Sequence, residues 1–595
     1  MNNTGIAFGD FIFTEKNKRK RRDYDEKNRA MRELFLIICL VVGVSVLLLK
    51  LFQLQVIQGS YYRNLSDSNR IRTTIVHAPR GIIFDRNGKP LVYNVPGFRK
   101  KEGDKIKVLT NSEAAPLIAR GEKGLEVDVL RQYPYKETLA HVLGYIGQIS
   151  KEELKTDEFS EYRGGDLVGK MGIERQYESY LKGQDEQRLI EVDSAGKEIR
   201  QLGQMDAISG RDIKITIDAD LQKAAYDAMD GIKKGAIVAS TLNGEILAML
   251  SKPSFDSNLF TLGETYKIST TSGYVSVSGV LSDGNNQPFL NRAISGVYPP
   301  GSTFKLVVAA AGLQEKIIDE DYRVEDTGVI RSGTYSFSNW FYTGYGRKEG
   351  SVDVVKGIKR SNDIFFYRLA EKIGVSEISK WAKKFGLGSP LGIDLDSEVS
   401  GLVPDPDWKE REIGEPWYLG DTFIYGIGQG YVLTTPLQVN GWTQAIANKG
   451  KLHRPHFLKN AKKQTLTKNL LSEKNFELIK QGMVESCEKG GVAWPFFDFT
   501  VKNARLKIDG KNILKASKAT TSASFKDYRK IIVACKTGTS QHGGAETLPH
   551  SWITLFAPAH NPEIVLTVLA EESGEGSNIA APIARKVLEQ YFSAK

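Results

Sequence analysis

The hydrophobic pattern begins with an uninterrupted apolar segment that follows a basic one. Residues 16–32 hold nine Lys or Arg and three acidic residues, whereas residues 34–49 hold no charged residue. The apolar character continues past Lys50, whose long side chain can extend to a membrane interface. About 20 apolar residues cross a bilayer as a helix, and flanking basic residues stay in the cytoplasm. No small-residue cleavage site follows. The pattern predicts a cytoplasmic basic tail at 1–33 and a transmembrane signal anchor at 34–54.

Beyond the anchor, residues 55–211 consist of short apolar segments separated by turns that contain Gly, Pro and Asn-Gly. This pattern predicts a β-rich domain. Within it, residues 98–106 (FRKKEGDKI) are dense in charge, which predicts a linker or an exposed loop.

Residues 212–595 show another pattern, in which strand-like segments flank a series of helical ones. Two strands are predicted to form a hairpin around Asn243-Gly244. The other predicted elements are helices at 303–315, 364–372, 376–385, 435–448 and 472–485, strands at 530–537, 551–557 and 563–570, and a closing helix at 579–592. Strands at both ends with helices between them predict a single α+β domain with an inserted helical subdomain.

Composition and charge then narrow the class of protein. The 595 residues are 41% hydrophobic and 26% charged, which is typical of globular proteins and excludes wholesale disorder. The formal charge is +10, yet residues 16–32 alone contribute +6. The basic excess therefore orients the anchor and does not indicate nucleic-acid binding. Three cysteines are too few for a disulfide-stapled scaffold.

Ser-x-x-Lys is the most informative chemical pattern, although it begins at four serines, Ser179, Ser194, Ser302 and Ser486. Only Ser302 follows the sequence YPPG and precedes a long apolar helix, which places Lys305 on the same helical face. A serine in this position can act as a nucleophile when a lysine of lowered pKa takes its proton. The alternative is that Ser302 only caps the helix and that Lys305 is solvated.

Two further motifs favour the catalytic interpretation. Ser361-Asn362-Asp363 comes just before a predicted helix, and Lys536-Thr537-Gly538-Thr539 ends a strand predicted at 530–535. A cation with adjacent hydroxyls on a strand edge can hold a substrate carboxylate, and Gly538 lets a substrate backbone approach closely. The order of the three motifs is that of penicillin-binding proteins and β-lactamases.

With these motifs the chain resembles class B penicillin-binding proteins, the monofunctional peptidoglycan transpeptidases, over nearly its whole length. Other similar segments are 80–88 (RGIIFDRNG), 141–145 (HVLGY), 172–178 (GIERQYE) and 298–305 (YPPGSTFK). Residues 251–260 (SKPSFDSNLF) and 417–431 (WYLGDTFIYGIGQGY) are more similar to the elongation branch than to the septal branch. The resemblance implies a serine β-lactamase-like transpeptidase domain with an antiparallel sheet at 212–595, preceded by a transmembrane helix and a pedestal or dimerisation-type domain at 55–211.

The resemblance also implies a reaction. Ser302 is expected to attack the D-Ala-D-Ala carbonyl of a stem pentapeptide and form an acyl-enzyme, with Lys305 as the base. Ser361 and Asp363 are expected to assist proton transfer. An amine from a neighbouring strand then resolves the acyl-enzyme and forms a crosslink, without ATP or a cofactor.

For substrate binding, the resemblance implies that Lys536, Thr537 and Thr539 bind the terminal carboxylate of the stem peptide. Gly538 is expected to belong to the same substrate-binding segment. The backbone N–H groups of Ser302 and Thr539 are expected to form the oxyanion hole. β-Lactams are expected to acylate the same serine.

The resemblance further implies a single-pass protein of the bacterial cytoplasmic membrane with its catalytic domain outside. Expected partners are a glycosyltransferase of the SEDS type and other membrane proteins of the elongation complex. Two alternatives remain open at this point. One is a membrane-bound D,D-carboxypeptidase or β-lactamase, in which water resolves the acyl-enzyme, and the other is a catalytically silent scaffold.

Three departures from the family pattern carry further expectations. Only about 40 residues lie between Leu91 and Arg131, which predicts a reduced head subdomain. Some elongation-type members bind zinc near the second motif, but Asn362 and Tyr345 stand where its Cys and His ligands would be, so no zinc is expected. Cys535 precedes Lys536, and its pairing with Cys487 is left open by the sequence.

Overall fold

The computed structural model describes residues 15–102, 105–122, 124–193, 198–262, 266, 273–502, 528–544 and 546–593. The chain forms two compact units. One comprises residues 1–76 and 185–206, and the other comprises residues 77–184 and 207–595.

The first unit contains a long helix and a small sheet. The helix Glu15–Phe52 joins the basic and apolar segments without a break and continues through a π-helical turn, Gln53–Ile57, to the helix Gly59–Arg70. Within the part of the chain that the structure describes, one helical segment, Lys27–Ile57, is long and apolar enough to cross a membrane. Its apolar side chains are exposed, as a lipid-facing surface requires. The strands of the sheet, all antiparallel, are Ile71–Val76, Glu186–Val192 and Glu198–Met205.

The second unit begins with a five-stranded sheet. Its strands are Ile213–Lys214, Ile83–Phe84, Pro90–Glu102 and Lys105–Thr110 in that order, with Leu125–Gln132 paired to the long strand Pro90–Glu102. The remaining elements of this part are the helices Asn111–Ala119, Ala140–Leu143, Gly172–Gln176 and Glu178–Leu181, and the strand pair Ile146–Gln148 and Leu167–Gly169.

Residues 98–102 and 105–106 of the charged segment lie in paired strands of this sheet, so the prediction of a linker or exposed loop is wrong for them, and residues 103–104 lie outside the described residues. Phe98 pairs with Leu109 on one side and with Val127 on the other. A ladder of this kind is built from backbone groups, and these pair whether or not the side chains are charged.

A five-stranded antiparallel sheet forms the core of the rest of the unit. Its strands run in the order Ile246–Lys252, Gly235–Ser240, Ile564–Ala570, His550–Ala557 and Ala534–Ser540. The predicted hairpin around Asn243-Gly244 joins the first two strands. The helices Ala219–Ala228 and Ala580–Phe592 pack together against this sheet, and the buried helix Pro436–Ala447 packs on the strands as well. Most residues of the central strands are buried, because helices cover them.

A helical subdomain lies between the outer strands in sequence, as predicted. Its centre is the helix Lys305–Gln314, in which every residue from Lys305 to Leu313 is buried. The other helices of this region are Asn258–Thr261, Val277–Ser282, Trp340–Tyr345, Val354–Lys359, Asp363–Ile373, Val375–Lys384, Pro406–Ile413, Leu419–Gly426 and Glu473–Ser486. The small antiparallel pairs are Val324–Asp326 with Gly350–Val352, Val329–Ser332 with Tyr335–Ser338, Leu452–His453 with Thr465–Thr467, and Thr500–Lys502 with Tyr528–Lys530.

Candidate active site

Ser302 lies in a 3-10 turn, Gly301–Thr303, directly before the buried helix Lys305–Gln314. Gly301 has a φ of +53°, and its N–H donates to Gly428 O at 2.8 Å. A Cβ added to Gly301 would lie 2.9 Å from Thr539 O. The turn therefore packs directly against the edge strand Ala534–Ser540, which brings the first and third motifs together.

Lys305 is fully buried, and its ammonium group is directed at the second motif. Its Nζ donates to Asp363 Oδ1 at 2.6 Å, to Ser361 O at 2.8 Å and to Ser361 Oγ at 3.3 Å. Ser302 Oγ is not among these three partners, although Ser302 lies within one helical turn of Lys305. The alternative in which Lys305 is a solvated surface residue is therefore wrong.

Ser361 joins the two lysines of the site. Lys536, which is also fully buried, donates from its Nζ to Ser361 Oγ at 2.9 Å and to Thr537 O at 3.0 Å. Ser361 has a φ of +54°, in the left-handed region that residues other than glycine rarely adopt. Strained backbone of this kind is kept where the surrounding contacts enforce it, often at functional sites.

The electrostatics of the site are dominated by two buried cations that share one carboxylate. Burial lowers the pKa of Lys305, although the negative charge of Asp363 opposes the shift. Burial also lowers the pKa of Lys536 to well below its usual value, and the charge of Lys305 lowers it further. A lysine with a lowered pKa is neutral for more of the time at neutral pH and can accept a proton.

The third motif lies inside a strand and not at its end, because the strand runs from Ala534 to Ser540 and not over 530–535 as predicted. It forms the edge of the sheet, so one side of its backbone is available to an extended peptide. Thr539 is exposed, and a Cβ added to Gly538 would lie 3.1 Å from both Thr303 Cγ2 and Trp552 Cβ. This packing leaves little room for a side chain at position 538, which accounts for a glycine between the two threonines.

Two contacts of the site come from residues to which the sequence interpretation assigned no role. Trp340 N donates to Asp363 Oδ2 at 2.9 Å, and Gln429 Nε2 donates to Thr539 O at 3.4 Å. Gln429 belongs to a family-like Gly-Gln-Gly segment, which could have indicated it. Trp340 lies in no motif and is brought to Asp363 only by the fold.

The residues at the expected zinc position do not fit a zinc ion. Asn362 uses its amide to donate to Asp326 Oδ2 at 3.0 Å and to accept from Phe365 N at 2.9 Å. The side chain of Tyr345 is exposed and packs beside Phe341. Amide and phenol groups are poor ligands for zinc, which prefers thiolate, imidazole and carboxylate.

Cys487 and Cys535, whose pairing the sequence left open, form a disulfide with a Cα–Cα distance of 5.9 Å. Both residues are buried. The bond connects the end of the helix Glu473–Ser486 to the edge strand, at the residue that precedes Lys536. A cross-link therefore holds the strand that carries the third motif.

Comparison with known proteins agrees with this geometry. The penicillin binding protein transpeptidase domain matches residues 235–589, and the penicillin-binding protein dimerisation domain matches residues 121–215. The chain belongs to the penicillin-binding protein transpeptidase family. This confirms the resemblance that the motifs indicated, and with it the α+β transpeptidase fold.

Individual members of the family match over most of the chain. The peptidoglycan D,D-transpeptidase MrdA of Haemophilus influenzae is 31% identical, over 95% of this chain and 93% of that protein. A solved complex between penicillin-binding protein PBP2 and MreC from Helicobacter pylori has a TM-score of 0.70 and 28% identity, over 88% of this chain and 98% of that one. A structure described as the structural coordination of polymerization and crosslinking by a peptidoglycan synthase complex has a TM-score of 0.69 and 27% identity, over 96% and 99%.

Proposed function

We propose that this chain is a membrane-anchored peptidoglycan D,D-transpeptidase of cell-wall elongation, which crosslinks stem peptides through an acyl-enzyme on Ser302. The observation that carries the proposal is the buried contact of Ser361 Oγ with both Lys305 and Lys536. This hydroxyl joins Lys305, one turn along from the nucleophile, to Lys536, which lies in the edge strand. The name of the Haemophilus influenzae relative supports the same activity.

In the acylation step, Ser302 Oγ attacks the carbonyl carbon between the two terminal D-Ala residues of a stem pentapeptide. Neutral Lys305, whose pKa burial lowers, accepts the hydroxyl proton. The N–H groups of Ser302 and Thr539 stabilise the oxyanion. The proton then passes by way of Ser361 to the nitrogen of the leaving D-Ala as the peptide bond breaks.

The edge strand holds the substrate during this step. The donor peptide pairs with the strand Ala534–Ser540 as an added strand, and its terminal carboxylate binds Lys536, Thr537 and Thr539. A bound carboxylate would supply the negative charge that Lys536 lacks, because Asp363 is shared with Lys305. Asp363 accepts a hydrogen bond from Lys305 Nζ, and its negative charge limits the fall in the pKa of Lys305.

In the second step, an amine from a neighbouring stem peptide attacks the ester carbonyl and releases Ser302. One peptide bond is broken and one is formed, so the reaction needs no ATP and no cofactor. A β-lactam acylates Ser302 by opening its ring, and its leaving nitrogen stays attached to the adduct.

The organisation of the chain supports a place in the elongation complex. We place a basic tail at 1–33 in the cytoplasm, an anchor at 34–54 in the cytoplasmic membrane, and the pedestal (55–211) and transpeptidase domain (212–595) outside it. The basic residues before the apolar helix support this orientation. The Helicobacter pylori structure pairs PBP2 with MreC, and the synthase complex combines polymerization with crosslinking. A SEDS-type glycosyltransferase is accordingly the proposed partner.

The product of the reaction tests this function. The full-length chain in detergent is incubated with a pentapeptide-bearing glycan strand and an acceptor strand with a free amine, and the products are separated by liquid chromatography with mass detection. Crosslinked dimer that is lost in Ser302→Ala and in the presence of penicillin supports the proposal. Tetrapeptide without dimer would indicate a carboxypeptidase, and unchanged substrate under all conditions would indicate a scaffold.

A further inference from the structure

Asp326 is a buried carboxylate outside the three catalytic motifs. It ends the short strand Val324–Asp326 and is 1% exposed. Its Oδ1 accepts from Gly328 N at 2.7 Å, and its Oδ2 accepts from Glu349 N at 2.9 Å. Two side-chain amides, those of Asn339 and Asn362, also donate to Oδ2, at 2.9 and 3.0 Å. Four N–H donors therefore converge on one carboxylate, which can accept all of them.

Both side-chain amides continue to the second motif. Asn362 is the middle residue of that motif, and its Oδ1 caps the following helix by accepting from Phe365 N. Asn339 Oδ1 accepts from Asp363 N at 3.2 Å. The next residue, Trp340, donates its N–H to Asp363 Oδ2. The backbone and the carboxylate of Asp363 are thus both held by the segment that Asp326 anchors.

This arrangement fixes the part of the motif that meets the lysines. With Oδ2 of Asp363 bonded to Trp340, its Oδ1 is directed at Lys305 Nζ. Ser361, on the other side of Asn362, keeps the left-handed conformation in which its hydroxyl contacts both lysines. A strained residue needs neighbours that hold it, and Asn362 is one of them.

We propose that Asp326 is a positioning residue for acylation, which acts through Asn339 and Asn362 to hold Ser361 and Asp363 against Lys305 and Lys536. The inference rests on the proposed function, because it assigns the residue that supports the same site. Asp326 touches none of the reacting groups and is not itself catalytic.

The chemistry of the contact explains why an aspartate is needed here. All four neighbours of the carboxylate present N–H groups, so both of its oxygens must act as acceptors. Asp326→Asn would replace one oxygen by an NH₂ group and set donor against donor. At the Oδ2 position the NH₂ group opposes both asparagines, and at the Oδ1 position it opposes the N–H of Gly328, whose own carbonyl accepts from Asn339 N at 2.8 Å. In either orientation the segment that carries Asn339 loses a contact that holds it.

The test compares Asp326→Asn with a matched control in the same subdomain. Asp353→Asn is the control, because Asp353 caps the helix Val354–Lys359 through Lys356 N at 2.8 Å and has no bond to the second motif. The full-length chain in detergent is mixed with a fluorescent penicillin, and the second-order rate constant of acylation is measured from neutral to alkaline pH, together with the thermal unfolding midpoint.

We expect Asp326→Asn to lower the acylation rate constant on the order of 100-fold, since small misplacements of catalytic groups have effects of this size. The pH profile should also move. The charged groups that face Lys305 are Asp363, which raises the pKa of Lys305, and Lys536. When Asp363 is displaced, the pKa of Lys305 falls further, so the acid limb of the profile shifts to lower pH. Asp353→Asn should leave the limb in place and change the rate constant less than about twofold.

A second variant guards against a folding defect in the first. Asn339→Ala removes one of the two amides through which Asp326 acts and leaves Asp326 its other three donors. It should lower the acylation rate constant at least about tenfold and shift the acid limb in the same direction. A folded Asp326→Asn with the parent rate and pH profile would overturn the proposal, as would a folded Asn339→Ala with both. If Asp326→Asn does not fold, Asn339→Ala alone decides between these outcomes. Failure of the parent itself to react would count against the proposed function and not against Asp326.

Discussion

Two buried ionic clusters in the same compact unit differ in how their charges are matched. One lies before the catalytic domain and consists of Arg80, Arg131, Glu174 and Glu178, two cations with two carboxylates. The other consists of Lys305, Lys536 and Asp363, two cations with one carboxylate, together with Ser361. Both are withdrawn from water, so the balance of charge within each cluster decides what its residues can do.

In the matched cluster, each charge has a partner. Glu174 accepts from Arg131 at 2.7 Å and from Arg80 at 3.0 Å, and Arg80 also meets Glu178 at 2.7 Å. Burial acts against the charged forms, but the arginines still lower the pKa of Glu174, and the glutamates still raise the pKa of Arg80. The charges within this cluster are therefore balanced, and the cluster holds the structure together.

In the unmatched cluster, the effect of burial on the lysine pKa values is larger than that of the carboxylate. Burial lowers the pKa of both Lys305 and Lys536, and the charge of Asp363 opposes the shift in both without cancelling it. A neutral lysine next to a serine is a usable base. We therefore expect the missing carboxylate, and not the lysines alone, to make Lys305 able to activate Ser302.

The largest expected effect is the loss of the base in the unmatched cluster. Lys305→Met should lower the acylation rate constant with a fluorescent penicillin on the order of 10³- to 10⁴-fold. Methionine fills a similar volume but leaves Asp363 Oδ1 without the ammonium group that bonds it, so the rate constant is measured below the thermal unfolding midpoint of the variant. A folded variant that keeps the parent rate would contradict this view of the cluster.

The corresponding change in the matched cluster should lower stability and leave acylation nearly unchanged. Glu174→Gln leaves Arg131 and Arg80 short of a carboxylate and should reduce the free energy of unfolding by about 3–5 kcal/mol. The acylation rate constant of the folded fraction should stay within about twofold of the parent, because this cluster lies apart from the reacting groups. Denaturant unfolding and penicillin binding on the same sample measure both quantities. A selective loss of acylation would remove the distinction between the clusters.

The disulfide beside Lys536 should have the next largest effect. It closes a loop with a sequence separation of 48, so its removal by Cys487→Ala with Cys535→Ala should cost about 2–4 kcal/mol of stability. Unfolding with and without a reductant measures this cost. The control is Cys39→Ala, since Cys39 is exposed and unbonded and its change should leave stability unaltered. Equal stability of the double variant and the parent would show that the bond does not hold the edge strand.

The smallest effect is expected for an exposed ion pair. Lys89 and Asp220 lie 2.7 Å apart, but both side chains are at least one-third exposed. Lys89→Met should therefore change the free energy of unfolding by less than about 1 kcal/mol, in contrast to Glu174→Gln. A loss as large as that of Glu174→Gln in the same unfolding assay would mean that burial is not what separates strong pairs from weak ones here.

The sequence indicated the residues of the candidate site better than the residues that hold them in place. Ser302, Lys305, Ser361, Asp363 and Lys536 could be predicted because each lies in a short motif with a fixed order. The motifs bring residues from three separate elements together, and the structure places four of these five side chains in direct contact. The alternation of apolar residues was also enough for the main strands and helices.

What could not be predicted depends on tertiary contacts. Asp326, Asn339 and Trp340 lie in no motif, and only the fold brings them to the second one. Residues 98–102 and 105–106 lie in two strands despite their charges, because their backbone groups have partners on neighbouring strands. The Cys487–Cys535 bond needs a distance that spacing in sequence does not provide.

Activation of Ser302 by the unmatched cluster is tested by intact-mass analysis after exposure to penicillin, followed by peptide mapping. We expect one adduct per chain, located on the peptide that contains Ser302, in the parent and in Glu174→Gln. No adduct is expected in Ser302→Ala. An unmodified parent, or an adduct that persists in Ser302→Ala, would contradict the role assigned to Ser302.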